Sequence, residues 1–236
     1  MEKSRLSIAA IMPIYNEADC LAENFDKVVN FFESHFLDFE IIVVESGSTD
    51  GSDKFLASRA EGNKNVRVIR EGSRNGFGSA VRLGLKAATK DLVCVQTIDL
   101  PYDLKYLAKA AELLQRVDYV LSYRSTDGRS CKRRLLTFIY DLLVRAIIRV
   151  KVKNVNSALK VYKTPILKNL ELHSAGWTLD AEVLMKLSNT TLKFERIPVP
   201  YTERTSGTST IVFGTPIKIL LDLLKMKLSQ MTRRSS

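Results

Sequence analysis

Cysteine is scarce. Cys20, Cys94 and Cys131 are odd in number, widely spaced and form no Cys-x-x-Cys pair. This argues against a disulfide framework or a thiolate zinc site and points to free thiols in a reducing compartment. The two histidines, His35 and His173, have no partners at ligand spacing, so imidazole-based metal or triad chemistry has no starting point. Long apolar runs are also missing. The nearest, LLTFIYDLLVRAIIRV at 135–150, is broken by Asp141, Arg145 and Arg149, whereas a membrane-crossing helix needs about 18 uninterrupted apolar residues. The opening MEKSRLSIAAIMPIYNE holds Pro13 and runs straight into polar residues, with no signal-type apolar region or cleavage site. Acidic residues are the minority, 26 against 36 Lys and Arg, a net charge of +10. Such a balance calls for nucleic acid, an anionic membrane face or a phosphorylated substrate. Nucleic acid is the weakest of the three, because the aromatics do not interleave with the basic residues as a stacking platform requires.

What remains is an ordinary globular composition, 45% hydrophobic and 26% charged over 236 residues, enough for one large domain or two coupled halves. Strand-like and helix-like patterns alternate through the first hundred residues. Strands are predicted at Leu6–Met12, Phe39–Val44, Val66–Arg70 and Leu92–Gln96, with helices at 18–35, about 50–61 and 77–89. Short β-rich runs separated by helices imply right-handed βαβ units and a mostly parallel sheet. Further strands are expected at Tyr119–Tyr123, Ala158–Tyr162 and Leu192–Pro198, with helices at roughly 131–150, 179–188 and from Pro216 to about Met231. Two of these segments, 131–150 and the last, are basic and amphipathic. They are either ordinary surface helices or a seat on an anionic leaflet.

The stretch VQTIDLPYDL at 95–104 places Asp99 just past a buried strand, where open α/β sheets keep their ligands. Loops after the first, second and fourth strands (13–17, 45–51 and 99–103) should open on one edge, with RNGFGSAVR at 74–82 between them. Taken singly, each loop is explained by turn and cap chemistry. Together they gather acidic and glycine-rich segments on one ligand-bearing edge.

IMPIYNE, VVESGSTDGS and RNGFGSAVRLGLKAATKDLVCVQTIDL, in this order, resemble the family-2 glycosyltransferases of GT-A fold. SALKVY with TPIL, GWTLDAEVLMKL and IPVPYTERTSGTSTI extend the likeness to polyprenyl-phosphate sugar synthases, over about 6–212. The resemblance implies an α/β, GT-A-like three-layer sandwich with a mostly parallel central sheet, plus a C-terminal amphipathic helix. It implies a single domain at 1–212, with a nucleotide-binding half (1–115) and an acceptor half (116–212), followed by the helix and tail at 213–236. The implied activity is inverting transfer of a hexose from a nucleoside diphosphate sugar to a polyprenyl phosphate or a growing surface glycan, in cell-envelope glycan biosynthesis. The implied location is cytoplasmic, or peripheral on the cytoplasmic membrane face, with no nucleic acid partner.

Residue by residue, the resemblance puts Pro13, Tyr15 and Glu17 in the nucleoside pocket and Glu45 where the family usually has an Asp on the base or ribose. Gly76, Gly78 and Arg82 would flank the nucleotide. Asp99 would be the second acid of Asp-x-Asp, the Mg²⁺ or Mn²⁺ and diphosphate residue. Asp180 or Glu182 would face the acceptor, and Arg204 and Ser209 would cover the phosphates. Thr97 replaces the first acid of Asp-x-Asp, and Thr210 stands where a lysine is common. Both changes weaken charge handling, so the metal is either bound more loosely or not used. A non-catalytic member that binds a sugar nucleotide or a partner protein is the alternative. Trp177 is either a sugar-stacking platform or rim packing.

Overall fold

The computed structural model describes residues 3–127, 131–148, 155–201, 221 and 223–225. Seven strands form one sheet: β1 (Ile8–Ile14), β2 (Phe39–Glu45), β3 (Val66–Arg70), β4 (Leu92–Val95), β5 (Tyr119–Asp127), β6 (Lys160–Lys163) and β7 (Phe194–Tyr201). Their order is β3-β2-β1-β4-β6-β5-β7. Only the pairings of β6 with β4 and with β5 are antiparallel. All the other strands therefore point their carboxyl ends at the same edge.

Alternate residues of each central strand feed opposite cores, because successive side chains leave a strand on opposite faces. Ile8, Ala10, Met12 and Ile14 of β1, with Ile41 and Val43 of β2, meet helices α1 (Ala18–His35), α2 (Ser52–Ala60) and α4 (Lys105–Leu113). Ala9, Ile11, Ile42 and Val44 face the other way. There they join α3 (Phe77–Ala87), α5 (Cys131–Ile148), α6 (Thr164–Lys168) and α7 (Leu179–Leu187). The result is helix, sheet, helix, with strands apolar on both faces as a covered parallel sheet requires.

Several expectations hold closely. Helix α1 spans its predicted residues and buries Leu21, Phe25, Val28, Val29 and Phe32, while β3 has its predicted ends. Strand β1 begins and ends two residues later than the pattern suggested, because its pairing with β2 runs on through Ile14↔Glu45. Helix α4 was not foreseen, whereas α6 begins at TPIL, where the resemblance implies a helix start. The first buries Leu107, Ala110 and Ala111, and the second carries Pro165 in its first turn, where a missing N–H is harmless. Of the expected C-terminal helix, only Leu221 and Leu223–Lys225 are described, and these are helical. The rest lies outside the described residues. Among those described, no helix is long and apolar enough to cross a membrane.

Candidate functional site at the carboxyl edge

The strand order reverses direction between β1 and β4. After β1 the chain winds outward through β2 and β3, then returns to place β4 on β1's other side. A crevice opens at such a switch point, outside the carboxyl ends, and ligands of doubly wound sheets bind there. The loop 13–17 leaves β1 on one side of the crevice, and 96–103 leaves β4 on the other. Gln96 N–H still donates to Ile11 C=O (2.9 Å), holding the base of the second loop against β1.

The first two loops are cross-tied. Asn16 N–H donates to Ser48 Oγ (3.1 Å), Thr49 N–H to Asn16 Oδ1 (2.8 Å) and Glu17 N–H to Ser52 Oγ (3.1 Å). Ala18 N–H, in the first turn of α1, donates to Asp50 Oδ2 (2.9 Å), so a residue over thirty positions away caps that helix. Burial acts upward on the Asp50 carboxyl but is outweighed by bonds from Ser52 and Ala18, and the group sits below its ordinary value. Asn16 takes φ of 52°, a left-handed conformation that Asn tolerates. Glu45 is buried and accepts from Ser48 N–H, closing its own turn. Glu71, one residue past β3, accepts from both Ser46 Oγ and Ser79 Oγ (2.6 Å each) and ties β2's exit to α3. Over Tyr15 lies the Arg74 guanidinium, 4.4 Å from the ring centroid.

Asp99 is half-buried beyond β4. Its neighbour Tyr102 is buried and donates to Gln96 Oε1 (2.6 Å). Tyr102's phenol is pushed well above its ordinary value, by burial first and then by Cys94 and Asp99. The next residue, Leu100, has φ of 43°, which strains an apolar side chain. Thr97 and Asp99 offer one hydroxyl and one carboxylate. Among the described residues, no group of three or more His, Cys, Asp or Glu could hold a metal. That donor set still fits a cation that takes most of its oxygens from a bound diphosphate, as Mg²⁺ commonly does.

Gly76, Gly78 and Arg82 lie together, against the chain at 172–176. A Cβ on Gly78 would meet Ser174 O and lie 2.9 Å from both Ala175 C and Gly176 O. One on Gly76, where φ is +102°, would meet Ala175 O. Arg82 Nη1 donates to Leu172 C=O (3.2 Å) and Ser79 N–H to Ala175 C=O (3.2 Å). Both glycines thus have a packing reason independent of any ligand. Trp177 stacks on Phe77 with centroids 5.1 Å apart and remains 44% exposed, so it packs on the rim.

Glu182 is 2% exposed and accepts from His173 N–H (3.0 Å) and Ser174 N–H (2.8 Å), with Lys186 Nζ 3.2 Å away. Burial alone would raise its carboxyl. The bonds from Ser174 and His173 and the Lys186 charge outweigh that, so it lies below its ordinary 4.5. A carboxyl depressed on folding stabilises the protein above the unfolded value, and loses that contribution as pH falls through the folded one. Glu182→Gln is therefore expected to lower stability by about 2 kcal/mol at pH 7. It should also flatten the acid limb of the melting-temperature profile below pH 4.5, as read by calorimetry; an unchanged limb would deny Glu182 this role. Asp180 is bound by Lys160 Nζ at 2.8 Å, and Lys160 also donates to Ser157 C=O. Arg204 and Ser209, with Thr210, lie outside the described residues.

A second cleft on this edge is lined by Pro101, Tyr102, Tyr123, Arg124, Ser157 and Tyr201. Arg124 donates to Asn156 C=O (3.1 Å) and sits 5.4 Å from the Tyr201 centroid. A larger concavity of about 480 Å³, between Lys3–Arg5, His35–Phe36 and Glu112, lies at the opposite edge of the sheet, away from this chemistry. Glu71, Arg74, Arg124 and Lys160 escaped the sequence reading. For Glu71 a signal existed, since it sits just past a strand end as Asp99 does.

Residues 9–168, more than half of the chain, match the model of glycosyl transferase family 2. The chain belongs to that family. This family-2 chain is 27% identical over 224 residues to undecaprenyl-phosphate 4-deoxy-4-formamido-L-arabinose transferase of Edwardsiella ictaluri, covering 92% of the chain and 66% of the relative. It is 24% identical to dolichol-phosphate mannosyltransferase of Pyrococcus furiosus, covering 94% and 64%. It thus spans just under two thirds of the length of these two relatives. Its fold is that of glucosyl-3-phosphoglycerate synthase from Mycobacterium tuberculosis, solved with Mn²⁺, UDP and glucosyl-3-phosphoglycerate (TM-score 0.71, 18% identity, 95% of this chain and 80% of that one). A mannosyltransferase from Pyrobaculum calidifontis solved with GDP-Man and Mn²⁺ shares it too (TM-score 0.66, 21% identity, 98% and 65%). The architecture is therefore the GT-A α/β sandwich.

Proposed function

We propose that the chain is a nucleotide-sugar-dependent hexosyltransferase, moving the sugar with inversion to a polyprenyl phosphate or a growing surface glycan. The observation that carries this reading is that loops 13–17 and 96–103 leave β1 and β4 on either side of the switch point, with Asp99 on the second. Pro13, Tyr15 and Glu17 lie on the first and receive the nucleoside, with Glu45 beneath. Gly76, Gly78 and Arg82 hold the wall behind it, and Arg204 and Ser209 act on the phosphates. Residues 1–115 serve the donor, 116–212 the acceptor. The names of the curated relatives, which act on undecaprenyl and dolichol phosphates, support a polyprenyl phosphate acceptor.

In the transfer, an acceptor oxygen forms a bond to the anomeric carbon as the bond from that carbon to the diphosphate breaks. The nucleoside diphosphate leaves with the electron pair. Asp99 would hold Mg²⁺ or Mn²⁺ on the diphosphate, and the cation would neutralise charge as the leaving group departs. A phosphate acceptor is already ionised and needs no base. A glycan hydroxyl would pass its proton to Asp180. Lys160 neutralises Asp180, and Arg124, which lines the cleft beyond Tyr102, adds positive charge on the acceptor side.

Thr97 favours a second reading, a family member that binds without turnover. Isothermal titration with UDP and GDP sugars, with and without Mn²⁺, followed by an assay of transfer to undecaprenyl phosphate, separates the two. Mn²⁺-dependent binding with transfer is expected; metal-independent binding without transfer selects the second reading, and no binding defeats both. Thr97→Asp restores a charged ligand and should tighten Mn²⁺-dependent nucleotide binding about tenfold, or roughly 1.4 kcal/mol. No gain would place the cation elsewhere.

A further inference from the structure

Helix α5 is apolar on two faces, one buried and one exposed. A surface helix turns its apolar stripe inward and its charges to water. Here Cys131, Leu135, Phe138, Ile139, Leu142 and Ala146, spaced to share one face, are all exposed and none is charged. Leu135, Phe138 and Leu142 are 58%, 60% and 51% accessible. The opposite face packs Tyr140, Val144 and Ile147 into the apolar cluster and also buries one charged residue. Asp141 is buried and accepts from Val155 N–H (3.2 Å), and Tyr140 packs inward beside Val144. Arg134, also exposed, follows the first turn, and Arg145 Nε folds back to Asp141 C=O (3.1 Å). Leu223 is fully buried in the apolar cluster that also holds Val144, while Leu221, Leu224 and Lys225 are exposed.

We propose that the outer face of α5 lies in the interface plane of an anionic lipid leaflet. Leu135, Leu136, Phe138, Ile139 and Leu142, five large exposed apolar side chains on neighbouring turns, exceed what scattered surface hydrophobes explain. An 18-residue helix offers about 27 Å of such a face. A charge-free stripe bordered by cations on a chain of net +10 matches apolar acyl chains beneath anionic headgroups. A second copy of the chain would bring the same positive borders together, which like-charge repulsion opposes. The seat is independent of the transfer chemistry proposed above and adds a surface to it.

Co-sedimentation of the 236-residue chain with phosphatidylglycerol–phosphatidylcholine vesicles, against phosphatidylcholine alone, tests it. The chain should pellet with the anionic vesicles, less so at high salt, and amide exchange over 134–146 should slow when they are added. Leu135→Ser/Phe138→Ser/Leu142→Ser should lower partitioning at least about tenfold with an unchanged melting temperature. Leu37→Ser, an equally exposed site elsewhere, should change nothing. The proposal is overturned if the wild type stays in the supernatant or if the triple variant partitions as the wild type does. It is also overturned if the triple substitution splits a dimer without any lipid binding, or lowers the melting temperature because another part of the chain covers the face.

Discussion

Asp99→Asn should cut transfer by about 100- to 1,000-fold and remove the Mn²⁺-dependent part of nucleotide binding, while leaving the melting temperature nearly unchanged. The substitution keeps the side chain's shape on a half-buried loop, so packing around Tyr102 and Gln96 survives. What it removes is the one full charge that the Thr97–Asp99 pair can give a cation. In a site with two acids, one loss is partly shared; here Thr97 offers only a neutral oxygen, so the effect is large. Steady-state kinetics and titration with and without Mn²⁺ read it directly. Wild-type affinity for nucleotide plus Mn²⁺ in this variant would remove Asp99 from the diphosphate site and the transfer proposal with it.

Gly78→Ala should lower stability by about 3 kcal/mol, at the upper end for an overpacked core, or roughly 6–12 °C in melting temperature for a chain of this size. The added methyl would press on three backbone atoms of 174–176, none of which can rotate away. That segment is itself held from below by Glu182, so it yields only by breaking the His173 and Ser174 N–H bonds. Because Ser79 N–H also bonds Ala175 C=O, the shift would tilt the start of α3, near Arg74 and its contact with Tyr15. Nucleotide affinity should fall along with stability. Thermal melts with and without UDP would show both effects, and a variant as stable as the parent would mean that the 172–176 segment gives way freely.

Most of the scaffold was legible because it is written in local period. The strands of the first half alternate between two cores, and α1 repeats its apolar residues every three or four positions. The carboxyl-edge loops were legible by the same route, since parallel strands joined by helices must open on one edge. Glu182 shows where this reasoning stopped. A carboxylate near a helix start looks the same in sequence whether it meets solvent, an acceptor or two backbone amides nine and eight residues upstream. Only the fold of 172–176 onto α7 shows that it holds a loop. Arg74 on Tyr15 and Lys160 on Asp180 were hidden likewise, because their partners stand 59 and 20 residues away.

The order of the seven strands along the chain, the parallel sheet, the family resemblance and the candidate at position 99 all follow from short-range pattern and motif. Tertiary structure alone decided that β4 returns beside β1 to open the crevice, that the glycines serve a backbone contact, and that α5 leaves an apolar face exposed as well as burying one. The division is physical. Periodicity states which side chains share a face of an element, but which way that face points depends on the elements packed against it, and these are brought together only when the whole chain closes.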